Sequence, residues 1–362
     1  MMTESQRLLL LLIRSALHKG CVDLSRFRPN WSEIYSLAQM QGVEGIVFDA
    51  LCDLPVESRP PRTLLLSWIG KVASMERRYD QYVQAIKSLS AQLEGINLCM
   101  MLMKGYGCSL NYPNPKHRPC GDIDIFVMNP YGEHTQAIVK LVDDWAIKQQ
   151  SCHIIHDNEH HSVFQYGKFV VENHETILDI NTHKSSIALN RLLESLATES
   201  LLQRGKNEII IPSARFNSIH LLRHMANDFA TVKTSLRHVL DWSTFVYAHN
   251  DEVDWPFIYD IAHQANMHRF LDAINSICVD YFCYSSEDFP IEQRDCKLRD
   301  RVLNDILSLR ALDKMPPMGK RIRYGWAKSK RLWQNRWKYK IVYDESLWNS
   351  FCSLALNRIN KM

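Results

Sequence analysis

The most chemically suggestive residues of this chain are Asp122 and Asp124, in the string Arg118-Pro119-Cys120-Gly121-Asp122-Ile123-Asp124-Ile125-Phe126-Val127. Ile123–Met128 reads as a short buried strand, and successive strand residues point to opposite faces. The two aspartates therefore share one face, about 7 Å apart, while Ile123, Ile125 and Val127 bury the other. Carboxylates so placed repel one another and call for a cation. Hard oxygen ligands at this spacing suit Mg²⁺ or Mn²⁺, with a phosphate as a further ligand. In Val170-Val171-Glu172-Asn173-His174, Glu172 and His174 share one face of another predicted strand. Three carboxylates on two adjacent strands would make a two-metal site for in-line attack on phosphorus. One ion would hold a triphosphate and the other would lower the pKa of an attacking hydroxyl. The bland readings are a solvated strand end for Asp-x-Asp and an exposed hairpin face for Glu172.

These residues need a scaffold, and hydrophobic periodicity supplies one. Gln6–Leu17, Trp31–Leu51 (N-capped by Asn30) and Leu64–Leu93 read as helices, with Pro55, Pro60 and Pro61 breaking the run and Gly95 ending it. Leu98–Met103 is a wholly apolar strand closed by Lys104-Gly105-Tyr106-Gly107. Pro113, Pro115 and Pro119 make a rigid connection to Ile123–Met128. Tyr131–Trp145 reads as a helix, Ser162–Tyr166 and Phe169–His174 as a hairpin around Gly167-Lys168, and Glu208–Ile211 as a last strand. Phe216–Phe229, Ser235–Ala248, Pro256–Ala265 and Phe270–Tyr281 are helical again. The expected class is α+β, a small mixed sheet flanked by N-terminal and C-terminal helical regions. The expected division is 1–95 helical, 96–212 carrying the sheet, 213–285 helical and packing on it, and 286–362 a basic, aromatic-rich helical tail entered through a polar linker at 286–300.

Composition narrows the class. With 362 residues, 46% hydrophobic and 23% charged, the chain can bury a sizeable core, which excludes wholesale disorder. No apolar run reaches the roughly 18 residues of a membrane span; Arg14 and His18 cut short the nearest, Leu8–Ile13, which also lacks a signal-peptide cleavage site. The ten cysteines form no Cys-x-x-Cys pair, which reads as reduced thiols in a cytoplasmic protein. The net charge of +3 is uneven: nine of the 43 Lys/Arg lie between Lys320 and Lys340, leaving 34 bases against 40 acids elsewhere. Any anionic partner is therefore met locally.

Together these motifs resemble the nucleotidyltransferase superfamily with the polymerase-beta-like fold, and more closely the bacterial nucleotidyltransferase family proteins. The resemblance rests on Met103-Lys104-Gly105, Tyr112, Arg118, Asp122-Ile123-Asp124 and Glu172-Asn173-His174, with similar flanking helices at Trp31–Leu51 and Leu236–Trp242. It covers most of residues 30–285. The superfamily favours Gly-Gly or Gly-Ser in its turn; this chain has Gly105-Tyr106 or Gly107-Cys108, with Ser109 to supply a hydroxyl. The resemblance implies a nucleotidyltransferase core at 96–212 that moves an NMP from an NTP such as ATP to a hydroxyl or phosphate acceptor, releasing pyrophosphate. Asp122, Asp124 and Glu172 would be catalytic and hold Mg²⁺ or Mn²⁺. Lys104, Gly105, Gly107, Ser109 and Arg118 would bind the nucleotide, through backbone N–H groups of the turn and the two cations. His174 would orient Glu172 or contact substrate, and Asp179 is the fallback third acid. A small molecule or sugar is favoured as acceptor over a protein or an RNA end. The alternative is a non-catalytic nucleotide- or partner-binding module that keeps the fold.

Other signals are weaker. Arg237 and Asp241 are spaced for an i,i+4 ion pair and are secondary candidates for the site. His220 and His224 are spaced to hold zinc, but without the glutamate of a zinc protease. His153, His156, His160 and His161 read as loop residues, with His160 or His161 able to reach the cleft. Residues 320–340 interleave bases with Tyr324, Trp326, Trp333, Trp337 and Tyr339. Packing of these aromatics on the body is the first reading, and contact with an anionic membrane surface is the next.

Overall fold

The structure, a computed structural model, describes residues 2–344 except 21, 25, 151–152, 159, 181–182, 203–208, 232–233 and 309–320; side chains at 150, 156–158, 321–329 and 331–332 are also outside the description. Calls on Cys21, Cys152, Cys352, Glu208, Lys320 and the His156, Tyr324 and Trp326 side chains thus lie outside the described residues.

The N-terminal third is helical. α1 (Glu4–His18) is capped by Thr3, and its Leu8, Leu9, Leu12 and Ile13 are fully buried. The expected helix Trp31–Leu51 is two helices, α2 (Trp31–Gln41) and α3 (Glu44–Cys52). Gly42 separates them at φ +66°, a backbone state that glycine adopts without strain. α4 (Arg62–Glu94) runs 33 residues, close to its expected bounds.

The chain then makes a five-stranded sheet from β1 (Cys99–Leu102), β2 (Ile123–Met128), β3 (Ile155–Asn158), β4 (His161–Tyr166) and β5 (Phe169–His174), in the order β1-β2-β5-β4-β3. Only the β2–β5 pair is parallel. Ile210 adds a single parallel bridge beside Met101 where a strand was expected. One sheet face packs Ile123, Ile125 and Val127 against Tyr82, Ile86 and Leu89 of α4 and Val142 and Trp145 of α6 (Gln136–Gln150). The helical turn Tyr106–Ser109 is α5.

The opposite face lies under α7 (Ser185–Leu202), α8 (Ala214–Thr231) and α9 (Leu236–Ala248), with α10 (Trp255–Gln264) and α11 (His268–Phe282) packed on α8 and α9. Met101, Phe126 and Met128 join Ile219, Leu222 and Val239 in that core. β2, covered on both faces, is buried throughout, as its apolar run requires.

Two elements depart from expectation. α7 fills a stretch to which the sequence reading gave no element. α12 (Cys296–Leu307) begins inside the expected linker; the Asp295 side chain caps it by accepting from the Leu298 N–H, and Val302, Leu303 and Ile306 are fully buried. In α13 (Arg321–Tyr343), Trp337 packs edge-on to Phe229, Lys338 pairs with Asp305, and Ile341 and Val342 are buried. Its described inner face therefore docks on the body, while Trp333 is exposed. Among the described residues no helix is long and apolar enough to cross a membrane, and the described cysteines are free thiols.

Candidate active site

A cavity of about 520 Å³ opens between the β2–β5 edge of the sheet and the helices α8 and α9. Its sheet wall carries Asp122, Asp124 and Glu172. β2 and β5 run parallel in register, Asp124 opposite Glu172, so alternation puts both side chains on the helix-covered face. His174, two residues on, follows them. Asp124, Glu172 and His174 bring one ligand atom each to within 4.8 Å of one another. Asp122 precedes the strand, at the more exposed edge of the cavity. Its position is set by α4: Tyr82 donates to the Asp122 carbonyl at 2.8 Å and Arg78 Nη2 to the Gly121 carbonyl at 3.1 Å.

Burying Asp124 among apolar neighbours is costly unless its charge is matched. Lys104 Nζ lies 3.1 Å and His174 Nε2 3.2 Å from its Oδ1. Burial would raise this carboxyl, but Lys104 and His174 outweigh it and hold the group well below the ordinary carboxylate range. His174, its Nε2 3.5 Å from Glu172 Oε2, likewise lowers Glu172, against the opposing effect of burial. Asp122 is raised, first by loss of solvent and then by repulsion from Asp124 and Glu172. Three acids thus face Lys104 and His174 on this wall, an excess of carboxylates that suits a bound cation.

The glycine turn is tightly built. Gly105 sits at φ +47°, and a Cβ there would meet the Tyr82 hydroxyl at 2.4 Å, so only glycine fits. Gly105 and Cys108 line the cavity. Gly107 and Ser109 are buried behind it: their N–H groups close on the Lys104 and Gly105 carbonyls, and the Ser109 hydroxyl donates to Tyr106 O at 2.6 Å beside Tyr79 Oη at 2.9 Å. The structure therefore does not bring these two residues to the cavity surface.

The two arginines exchange the places that spacing gives them. Asp241 pairs with Arg118, not with Arg237: Arg118 Nε and Nη2 donate to its two oxygens at 3.0 and 2.8 Å, and Tyr112 adds a bond at 2.8 Å. This buried pair locks the loop before β2 to α9. Burial works against both charges, but their mutual attraction prevails, lowering Asp241 and raising Arg118. Arg237 lines the cavity with its Nε buried and without a hydrogen-bond partner.

The helical wall also holds His224, Asp228 and His238, which the sequence reading did not assemble. Burial is the first cause of each shift: it pushes His238 down to about 4, holds His224 well below its ordinary value and raises Asp228 to about 6. The i,i+4 spacing of His224 and Asp228 was a usable signal; the approach of His238 from the next helix was not. His220, buried on α8, leaves its Nδ1 unpartnered. His160 and His161 meet edge-on and lie tilted against His174, while Asp179 lies beyond β5 and outside the cavity lining.

A family model described as "Uncharacterised nucleotidyltransferase" matches residues 28–282. No curated protein and no solved structure matches the chain.

Proposed function

Since the chain belongs to this family of uncharacterised nucleotidyltransferases, we propose that its cavity transfers an NMP from an NTP, ATP among them, to a hydroxyl or phosphate acceptor and releases pyrophosphate. The observation that carries this reading is the in-register placement of Asp124 and Glu172 on parallel strands, with Asp122 beside them and His174 bridging the pair.

The residues fit a divalent ion. Asp122, Asp124 and Glu172 offer hard oxygen ligands, and Asp124 and Glu172 already bring theirs within 4.8 Å of each other. Asp122, Asp124 and Glu172 would hold Mg²⁺ or Mn²⁺, which when bound neutralises triphosphate charge and acidifies the attacking hydroxyl. Lys104 and Arg237 face the same space and pair with phosphate oxygens. Gly105 lets the turn close against Tyr82 and places its backbone at the cavity wall. His174 holds Glu172 oriented through its 3.5 Å contact. Arg118 serves by positioning α9 through Asp241.

The cavity volume lies within the range of small-molecule sites, which favours a sugar or other small acceptor. The acidic body disfavours long RNA. We place the activity in the cytoplasm, where free thiols persist. A membrane-surface contact is left to the solvent-facing part of α13.

Titration calorimetry of each NTP with Mg²⁺ tests the reading, repeated on Asp124→Asn. Saturable binding that the variant loses, followed by pyrophosphate release with an acceptor, supports it. Unchanged nucleotide and metal binding in Asp124→Asn would overturn it.

A further inference from the structure

We propose that His224, Asp228 and His238 form a second metal site, selective for a divalent transition metal such as Zn²⁺, on the helical wall of the cavity. The site is independent of the transfer reaction and of the acidic trio on the sheet.

The separations are those of ligands around an ion. His224 Nε2 lies 3.5 Å and His238 Nε2 3.6 Å from the same oxygen, Asp228 Oδ2, and the three residues' ligand atoms all fall within 4.8 Å of one another. N–H···O hydrogen bonds run about 2.7–3.2 Å, so both contacts are too long for good ones. Ligand atoms about 2.0–2.2 Å from a tetrahedral ion stand roughly 3.3–3.6 Å apart, which the two contacts match. Among the described residues, the two imidazoles are the only ion-pair partners of Asp228 within 4.0 Å.

The donor set and its support point the same way. Two imidazoles and one carboxylate, with the remaining position facing the cavity, are a recurrent open site for zinc or ferrous iron. The imidazole majority separates it from the oxygen-rich sheet wall, which suits Mg²⁺ or Mn²⁺. His224 and Asp228 are one turn apart on α8 and His238 is in the first turn of α9, so packed helices fix all three. Without an ion, the Ser235 N–H donates to His238 Nδ1 at 3.1 Å, which leaves the ring proton on Nε2. Metal loading requires that proton to leave Nε2 and Nδ1 to be protonated. That tautomer gives up the capping bond from the Ser235 N–H, and the Ser235 hydroxyl, also 3.1 Å from Nδ1, accepts from Nδ1 in its place, the outer-shell bond that metal-bound imidazoles ordinarily make.

The test uses the full chain, stripped with a chelator and titrated with Zn²⁺ and with Co²⁺ in the absence of nucleotide. Wild type, His224→Gln, His238→Gln, Asp228→Asn and Asp124→Asn are compared, with circular dichroism confirming that each is folded. We expect one equivalent to bind wild type and Asp124→Asn alike, with the visible absorption of four-coordinate cobalt and no thiolate charge-transfer band. Each of the other three variants should bind at least about 100-fold more weakly, the upper end of the cost of losing even an outer-shell partner. Full affinity in either histidine variant overturns the proposal. So does loss of the ion in Asp124→Asn with retention in the histidine variants, which would assign it to the sheet wall. Because no nucleotide is present, failure here leaves the nucleotidyltransferase reading to its own test.

Discussion

The two walls of the cavity solve opposite electrostatic problems. On the sheet wall, buried Asp124 is kept ionised by Lys104 and His174, at 3.1 and 3.2 Å. On the helical wall, burial raises the Asp228 carboxyl to about 6 despite the pull of Lys104 and Arg237 across the cavity, and its contacts within 4.0 Å among the described residues are two imidazoles. A matched charge can be buried deeply; an unmatched one gives up its proton affinity only to a cation. The same contrast separates the arginines. Arg118 is saturated by Asp241, whereas Arg237 keeps a buried donor unpartnered.

The comparison can be broken by substitution. Arg118→Met should have the largest effect, about 3–5 kcal/mol of lost stability in urea unfolding, because it strands buried Asp241. Normal stability with weakened nucleotide binding would instead make Arg118 a phosphate ligand. Asp124→Asn should lower pyrophosphate release by about 10²–10³-fold, comparable to the loss of one strong transition-state contact; the far-UV spectrum should not change. Arg237→Gln should weaken NTP binding by about 1.5–3 kcal/mol, as for hydrogen bonds to charged groups, with an urea midpoint close to wild type. Equal loss of binding and stability would make Arg237 structural.

The smallest effect is a pH dependence outside the cavity. His117 anchors the loop before Arg118 by meeting Asp49 at 2.7 Å and Glu76 at 3.1 Å. Burial would lower its pKa, but the two carboxylates prevail and raise it above the ordinary 6.5. The folded chain then binds more protons than the unfolded one, so this contribution is full below pH 6.5 and is lost as pH rises through the folded pKa. The difference in urea midpoint between wild type and His117→Gln should therefore shrink above pH 6.5. A constant difference would show that His117 acts through packing alone.

Several features were readable before any coordinates. The period of two in Asp122-Ile123-Asp124-Ile125 and Glu172-Asn173-His174 already paired the acids on one face, and the Gly167-Lys168 turn joined β4 to β5. The long α4 was equally plain, whereas the turn glycine stayed open between Gly105 and Gly107. The break at Gly42 was hidden because the apolar pattern continues across it. α12 was hidden because Leu298, Val302 and Ile306 are sparse among charges and bury only once α11 is beside them.

The sequence by itself determined which residues share a face, because that follows from backbone geometry repeated every two or 3.6 residues. It left partners undecided wherever two candidates were chemically equivalent. Arg237 and Arg118 are both cations able to satisfy Asp241; only the docking of α9 against the loop before β2 gave the bond to Arg118 and turned Arg237 toward the cavity. The meeting of His238 with His224 and Asp228 was decided the same way. Such contacts join side chains from separate elements, and their distances depend on how whole helices pack.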